Sequence, residues 1–221
     1  MSNARLKIIR KLSQKKFRNE LKLFVAEGLR LCEEVPPAQI EFGFFTREFL
    51  SDERAAALIE RLQRFAPLEE ILAKKIIVVL DGVQDPGNVG TILRTAEAFG
   101  CGVIALEGSA ELFNPKVVRA SMGAIFYLPV TIASRDEFLS AMRSREILAA
   151  AVDSSAEIYF RHDFAKNPVA IVFGSEASGV SEKILSVARK IFIPMHGHAE
   201  SLNVATSAAI ILSEAVRQSK T

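Results

Sequence analysis

After Lys74-Lys75 the chain settles into a rhythm that few folds can accept: short apolar, largely β-branched runs separated by stretches of helical pattern. The runs fall at 76–80, 103–106, 125–130, 147–152, 169–173 and 191–194, and a long helical pattern closes the chain over 203–218. Apolar strands alternating with helices predict an α/β domain whose mostly parallel sheet is flanked by helices. In such sheets ligands bind beyond the carboxyl ends of the strands, so chemistry is expected in the loops there. Residues 1–73 read as a separate small unit of helical character. It holds the breaker Pro36-Pro37, a strand-like stretch at 41–46 and a helix over 52–65. The expected division is therefore 1–73 and 74–221.

Charge distinguishes the two portions. The whole chain carries a formal net charge of only +2, yet residues 1–30 hold nine basic residues against two acidic ones, which leaves the remainder at −5. Lys11, Lys15, Lys16 and Arg18 lie in the densest part of this basic tract. A cationic end suits contact with phosphates, whose counterions it would release. It equally suits a solvated helix face, since Leu6, Ile9, Leu12 and Phe17 are spaced for an amphipathic helix.

At 49% hydrophobic and 24% charged residues, extended disorder is excluded. The two cysteines, Cys32 and Cys101, belong to no pattern, so neither a disulfide framework nor structural zinc is expected and a reducing cytoplasm fits. No apolar run is long enough to span a bilayer, and the opening residues lack the apolar core of an export signal.

Three strand-end loops stand out. The first, Asp81-Gly-Val-Gln-Asp-Pro-Gly-Asn-Val-Gly90, packs three glycines and a proline into ten residues before a helix carrying Arg94. Asn88 near that helix start reads as a cap or as a site residue, and Arg94 needs an anion or solvent. The second, Gly174-Ser-Glu-Ala-Ser-Gly179, places a glycine directly after an apolar strand, where a cofactor could approach closely. Its Glu176 could cap backbone donors or pair with a cation. The third runs from Ile193 through Met195, Ser201 and Leu202 to Asn203, with Ser201 as a plausible N-cap of the last helix. Other motifs fail. Gly100-Cys-Gly102 follows a helix instead of a strand, no Walker-type loop or Gly-x-Ser-x-Gly elbow exists, and the sparse histidines give no metal set.

Together, residues 81–95, 172–179 and 193–205 resemble motifs 1, 2 and 3 of the SpoU (TrmH-like) RNA ribose methyltransferases of the SPOUT superfamily. Residues 15–34 resemble the start of that family's L30e-like substrate-binding domain, here shortened. The resemblance implies a C-terminal trefoil knot, a homodimer, an RNA partner and S-adenosylmethionine (AdoMet) as cofactor. It implies that the backbones of Gly174, Ile193, Met195 and Leu202 hold the cofactor, with Asn88, Arg94, Glu176, Ser201 and Asn203 as the polar catalytic set. The implied reaction is 2′-O-methylation of a ribose in transfer or ribosomal RNA. A base methyltransferase of the same superfamily and a catalytically idle RNA-binding protein are the competing readings. A guanidinium, with a pKa above about 12, is a poor base, so Arg94 is expected to stabilise developing negative charge.

Overall fold

A computed structural model describes residues 3–41, 74–142 and 145–219. The chain divides into two compact units, Met1–Leu72 and Ala73–Thr221. The strand expected at 41–46 and the helix expected at 52–65 lie outside the described residues, apart from Glu41.

In the first unit, helices α1 (Asn3–Lys11) and α2 (Lys15–Leu21) replace a single amphipathic helix, and α3 (Leu29–Glu34) follows. The break between α1 and α2 is held by Arg18, which the sequence had offered to RNA. Arg18 is buried, and its Nη1 donates to the carbonyls of Leu12 at 2.8 Å and Ser13 at 2.9 Å. Carbonyls past a helix C-terminus lack intrahelical donors, so a cation there satisfies them and meets the negative end of the helix dipole. Arg18 is thereby withdrawn from the phosphate-contacting set. Lys11, Lys15 and Lys16 are exposed, with the Lys11 ammonium 5.1 Å from the centre of the Phe17 ring.

The second unit is built on β1 (Ile76–Asp81), whose aliphatic run is buried from Val78 to Leu80. Seven parallel strands line up in the order β3-β2-β1-β6-β4-β7-β5, comprising β2 (Gly102–Leu106), β3 (Val130–Ala133), β4 (Glu146–Ala150), β5 (Glu157–Ile158), β6 (Val169–Gly174) and β7 (Arg189–Phe192). The chain leaves β1 toward β2 on one side, and β6 returns on the other, with Asp81 opposite Gly174. The loops after β1 and β6 thus open side by side at the point where the strand order reverses, the crevice in which such sheets bind ligands.

Two strand expectations shift, and one strand was not expected. The apolar stretch at 125–130 forms a 3-10 turn over Ala124–Phe126, and β3 begins only at Val130. Ile125 and Leu128 are buried three residues apart, which is helical spacing, and a short apolar run does not declare its period. β7 starts two residues before its apolar core because Arg189 and Lys190 face outward toward Glu146, Glu157 and Asp153. β5, two residues long at the sheet edge, carries no signal at all.

Helix α4 (Pro86–Ala98) begins with Asp85 as N-cap, accepting from the Asn88 backbone N–H at 2.8 Å, and with Pro86 in the first turn. Val89, Ile92, Leu93 and Ala96 give it a buried stripe at helical spacing. Gly90 lies on the face met by α5 (Pro115–Ala120). A Cβ there would stand 2.8 Å from the Val117 carbonyl oxygen and overlap Ala120, so only glycine lets the two helices approach. After α6 (Arg135–Ala141), closed at its start by a Ser134–Glu137 capping box, and the short α7 (Glu182–Leu185), the chain ends in α8 (Val204–Ser219). Ala205, Ala208, Ile211, Leu212 and Ala215 of α8 are buried within the single chain, and α8 packs against α4.

Candidate active site

The cap supplied by Asp85 has a consequence for Asn88: its side chain is left over for other partners. Asn88 Nδ2 donates to Glu176 Oε1 at 2.7 Å, and Asn88 Oδ1 accepts from Asn203 Nδ2 at 2.9 Å. One amide thus joins three loops, with Asn88 separated in sequence by 88 residues from Glu176 and by 115 from Asn203. The segment after β7 must return across the ends of β4 and β6 for Asn203 to reach α4.

Each member is set by its own local structure. Asn203 Oδ1 accepts from the backbone N–H groups of Ala205 at 2.9 Å and Thr206 at 3.3 Å, so Asn203 is the cap of α8. Ser201, expected in that role, is exposed and contributes no cap. Asn203 is doubly employed: its oxygen orders the helix and its nitrogen orders the site. Glu176 is presented by a tight turn. Ser175 and Gly179 exchange backbone hydrogen bonds of 3.0 and 2.9 Å, and Ser175 Oγ accepts from the N–H groups of Ala177 and Ser178. Gly179 has a φ of +70°, which favours glycine.

Gly174 departs from its expected reason. The space its Cβ would need is filled by the backbone of Gly179 and Val180. The close approach that demands glycine is made by the loop folding onto itself.

Beneath the turn lies a cluster absent from the sequence expectations. Asp81, its side chain 1% exposed, receives Arg135 Nε at 2.8 Å and Nη2 at 2.6 Å on Oδ1, and the Ser181 backbone N–H at 2.7 Å on Oδ2. Arg135 Nε also reaches Ser181 Oγ at 3.2 Å, and its Nη2 donates to the Glu107 carbonyl at 3.2 Å. A buried carboxylate requires such pairing. The arrangement fastens the far end of the Glu176 turn to β1 and α6. The available signal was Asp81 itself, a lone charge at the end of an apolar run.

Arg94 is not brought into this network. It is exposed, six residues beyond Asn88 on α4 and therefore about 9 Å along the axis and a third of a turn around it. Among the described residues its guanidinium has no hydrogen-bond or ion-pair partner.

The donor set fits AdoMet. Ile193, Met195 and Leu202 belong to an irregular segment, and among the described residues they make no hydrogen bond. Ile193 and Met195 are half-buried, and Leu202 is 36% exposed. Unengaged backbone amides and carbonyls beside apolar side chains match the polar edge and flat apolar face of an adenine. Among the described residues no group of His, Cys, Asp and Glu is disposed to hold a metal, and no helix is long and apolar enough to cross a membrane.

A parallel sheet with a polar constellation at its switch point defines a nucleotide- or cofactor-binding α/β enzyme. Comparison with known proteins gives the family: residues 75–213 match the SpoU rRNA methylase family model, and the chain belongs to it. Residues 3–76 match the MRM3-like substrate-binding domain. The chain is 29% identical to the Bacillus subtilis 23S rRNA (guanosine(2553)-2′-O)-methyltransferase RlmP over 95% of both chains. It is 32% identical to the Streptomyces azureus 23S rRNA (adenosine(1067)-2′-O)-methyltransferase, covering 87% of this chain and 75% of that one. Among solved structures, the SpoU methyltransferase AviRb from Streptomyces viridochromogenes in complex with AdoMet superposes with a TM-score of 0.81 at 25% identity over 98% of both chains. An AdoMet-bound rRNA methyltransferase from Sinorhizobium meliloti gives 0.75 at 30% identity, over 97% of this chain and 95% of that one.

Proposed function

We propose that this chain transfers a methyl group from AdoMet to the 2′-hydroxyl of a ribose in ribosomal RNA. The observation that carries the reading is the Asn203–Asn88–Glu176 chain, which ties all three family loops into one site. When bound, AdoMet supplies an electrophilic methyl on a sulfonium that becomes a neutral thioether once the methyl has left. The protein's part is placement and charge. The backbones of Ile193, Met195 and Leu202 hold the adenosine, and Gly174 permits the turn that lines it. Asn88 and Asn203 stay fixed by their two hydrogen bonds and orient polar groups entering the crevice. Arg94 stabilises the 2′-oxygen as its proton passes to solvent and the new O–CH3 bond forms, and it anchors the adjoining phosphate. Ser201, exposed on the third loop, is left for cofactor or RNA.

Incubation of ribosomal RNA with methyl-labelled AdoMet is expected to place the label in alkali-resistant dinucleotides, because a methylated 2′-oxygen cannot attack its neighbouring phosphate. Label on a base would replace the ribose reading with the base alternative, and no label would leave an idle binding protein. A homodimer belongs to the same proposal, supported by Arg94 standing outside the network of its own chain. The 24.2 kDa chain should then sediment at twice its mass, and a concentration-independent monomer would contradict it. The trefoil knot is likewise proposed, supported by the passage from β7 back to α4. A cytoplasmic location is supported by two free cysteines, Cys32 and Cys101.

The basic N-terminal tract is assigned to RNA phosphates through Lys11, Lys15 and Lys16. Changing all three to Gln should weaken RNA binding and flatten its dependence on log salt by about 2–3. An unaltered slope returns them to a solvated face. Arg18 is excluded from this set because its loss would disorganise the α1–α2 junction.

A further inference from the structure

The segment that follows β2 carries features the catalytic network does not use. Residues 114–129 contain two cations, Lys116 and Arg119, and no acidic residue. Both are exposed on α5, and neither side chain pairs with a carboxylate among the described residues. Directly after α5, Met122 adopts a φ of +51°, a left-handed conformation that is costly for a residue with a Cβ. The turn around it is pinned. Ser121 is fully buried, with Oγ donating to the Val118 carbonyl at 2.8 Å, and Gly123 continues with a φ of +91°. The strained methionine is nevertheless 48% exposed, and Tyr127 on the next turn is 54% exposed. Strain held in place by a buried anchor, with the side chain turned to solvent, marks a display site instead of a packing solution.

Its location gives the occupant. Gly90 is the contact point of α4 with α5, and Arg94 lies four residues further on the same side of α4. Arg94 therefore stands at the seam between α4 and the segment bearing Lys116, Arg119, Met122 and Tyr127. The 3-10 turn Ala124–Phe126 packs against α4 as well.

We propose that this segment is an RNA-docking platform beside the reacting ribose: Lys116 and Arg119 take backbone phosphates, and Met122 and Tyr127 take the face of an unstacked base. Exposed cations followed in the same short segment by a polarisable thioether and an aromatic ring match single-stranded RNA, whose bases are free to stack. The platform would select the nucleotides flanking the target, a role distinct from the N-terminal unit's. The inference rests on the RNA ribose methylation proposed above.

The test uses the full chain, with wild-type methylation of ribosomal RNA measured first, so that failure of the activity itself is seen separately. Met122→Gly removes the side chain and suits the left-handed backbone, so its melting temperature should hold or rise. Its KM for RNA should rise about tenfold, with unchanged affinity for AdoMet. Lys116→Gln with Arg119→Gln should flatten the slope of log binding constant against log salt by about 1.4, two phosphates at about 0.7 each for a single strand. Tyr127→Phe should keep most of the affinity that Tyr127→Ala loses. Unchanged KM and salt slope in an active wild-type background would overturn the proposal. A changed sedimentation coefficient with unchanged KM would assign the patch to a second protein copy and overturn it equally.

Discussion

Arg94→Ala is expected to lower the rate of methyl transfer by about a thousandfold while calorimetric binding of AdoMet stays within about twofold of wild type. The size follows from removing the cationic donor proposed to meet developing negative charge. Separation of rate from cofactor binding follows from position, since Arg94 is exposed on α4 and the backbone proposed to hold the cofactor belongs to the segment after β7. The fold should not notice the change. Alanine is the best helix former, and an exposed substitution of this kind stays within about 0.5 kcal/mol. Arg94→Lys should recover only part of the rate, because a point charge does not reproduce the planar fork that grips a phosphate. Near-normal methylation by Arg94→Ala would remove the arginine from the reaction altogether.

The second large effect is expected well away from the substrate. In Asp81→Asn an amide replaces a carboxylate that accepts from Nε and Nη2 of Arg135 and from the Ser181 N–H. An amide has a single acceptor oxygen, so it cannot serve both donors, and one NH₂ edge must face another donor. Removing one partner of a buried pair costs about 3–5 kcal/mol, and partial exposure of Arg135 brings this to about 2–3 kcal/mol. For a chain of this size that is a fall in melting temperature of about 5–10 °C. Activity should also drop about tenfold below the new transition. The turn carrying Glu176 is anchored at its end by Ser181, and Asn88 depends on Glu176 for its orientation. Asp81→Asn with unchanged melting and unchanged kcat would show that the cluster neither fastens the turn nor supports the site.

The residues behind these two effects differ in how legible they are in the sequence. Arg94, Asn88, Glu176 and Asn203 stood out because the three segments that carry them resemble the three family motifs, with Arg94 in the helix that follows the first. In the sequence Asp81 is only the first residue of a loop, and nothing there marks Arg135. Their meaning is a contact between residues 54 apart in sequence, with a third partner a hundred residues from Asp81. Gly174 shows the same limit in another form. A glycine after a buried strand announces that something comes close, but only the folded turn shows that the visitor is the chain's own backbone.

By itself the sequence determined the parallel α/β sheet, the order of most strands along the chain, and the three loops that carry chemistry. These follow from local physics: β-branched runs, helical spacing, and turn residues whose preferred conformations are properties of a few neighbours. It also set the separation of a basic amino end from a mildly acidic remainder. Only the tertiary structure decided which cap each asparagine makes, that Arg18 joins two helices instead of facing RNA, and that Met122 is held strained at the surface. It alone placed β6 between β1 and β4, which brings Asn88, Glu176 and Asn203 within hydrogen-bond reach. A hydrogen bond acts over about 3 Å of space, whatever length of chain separates its partners.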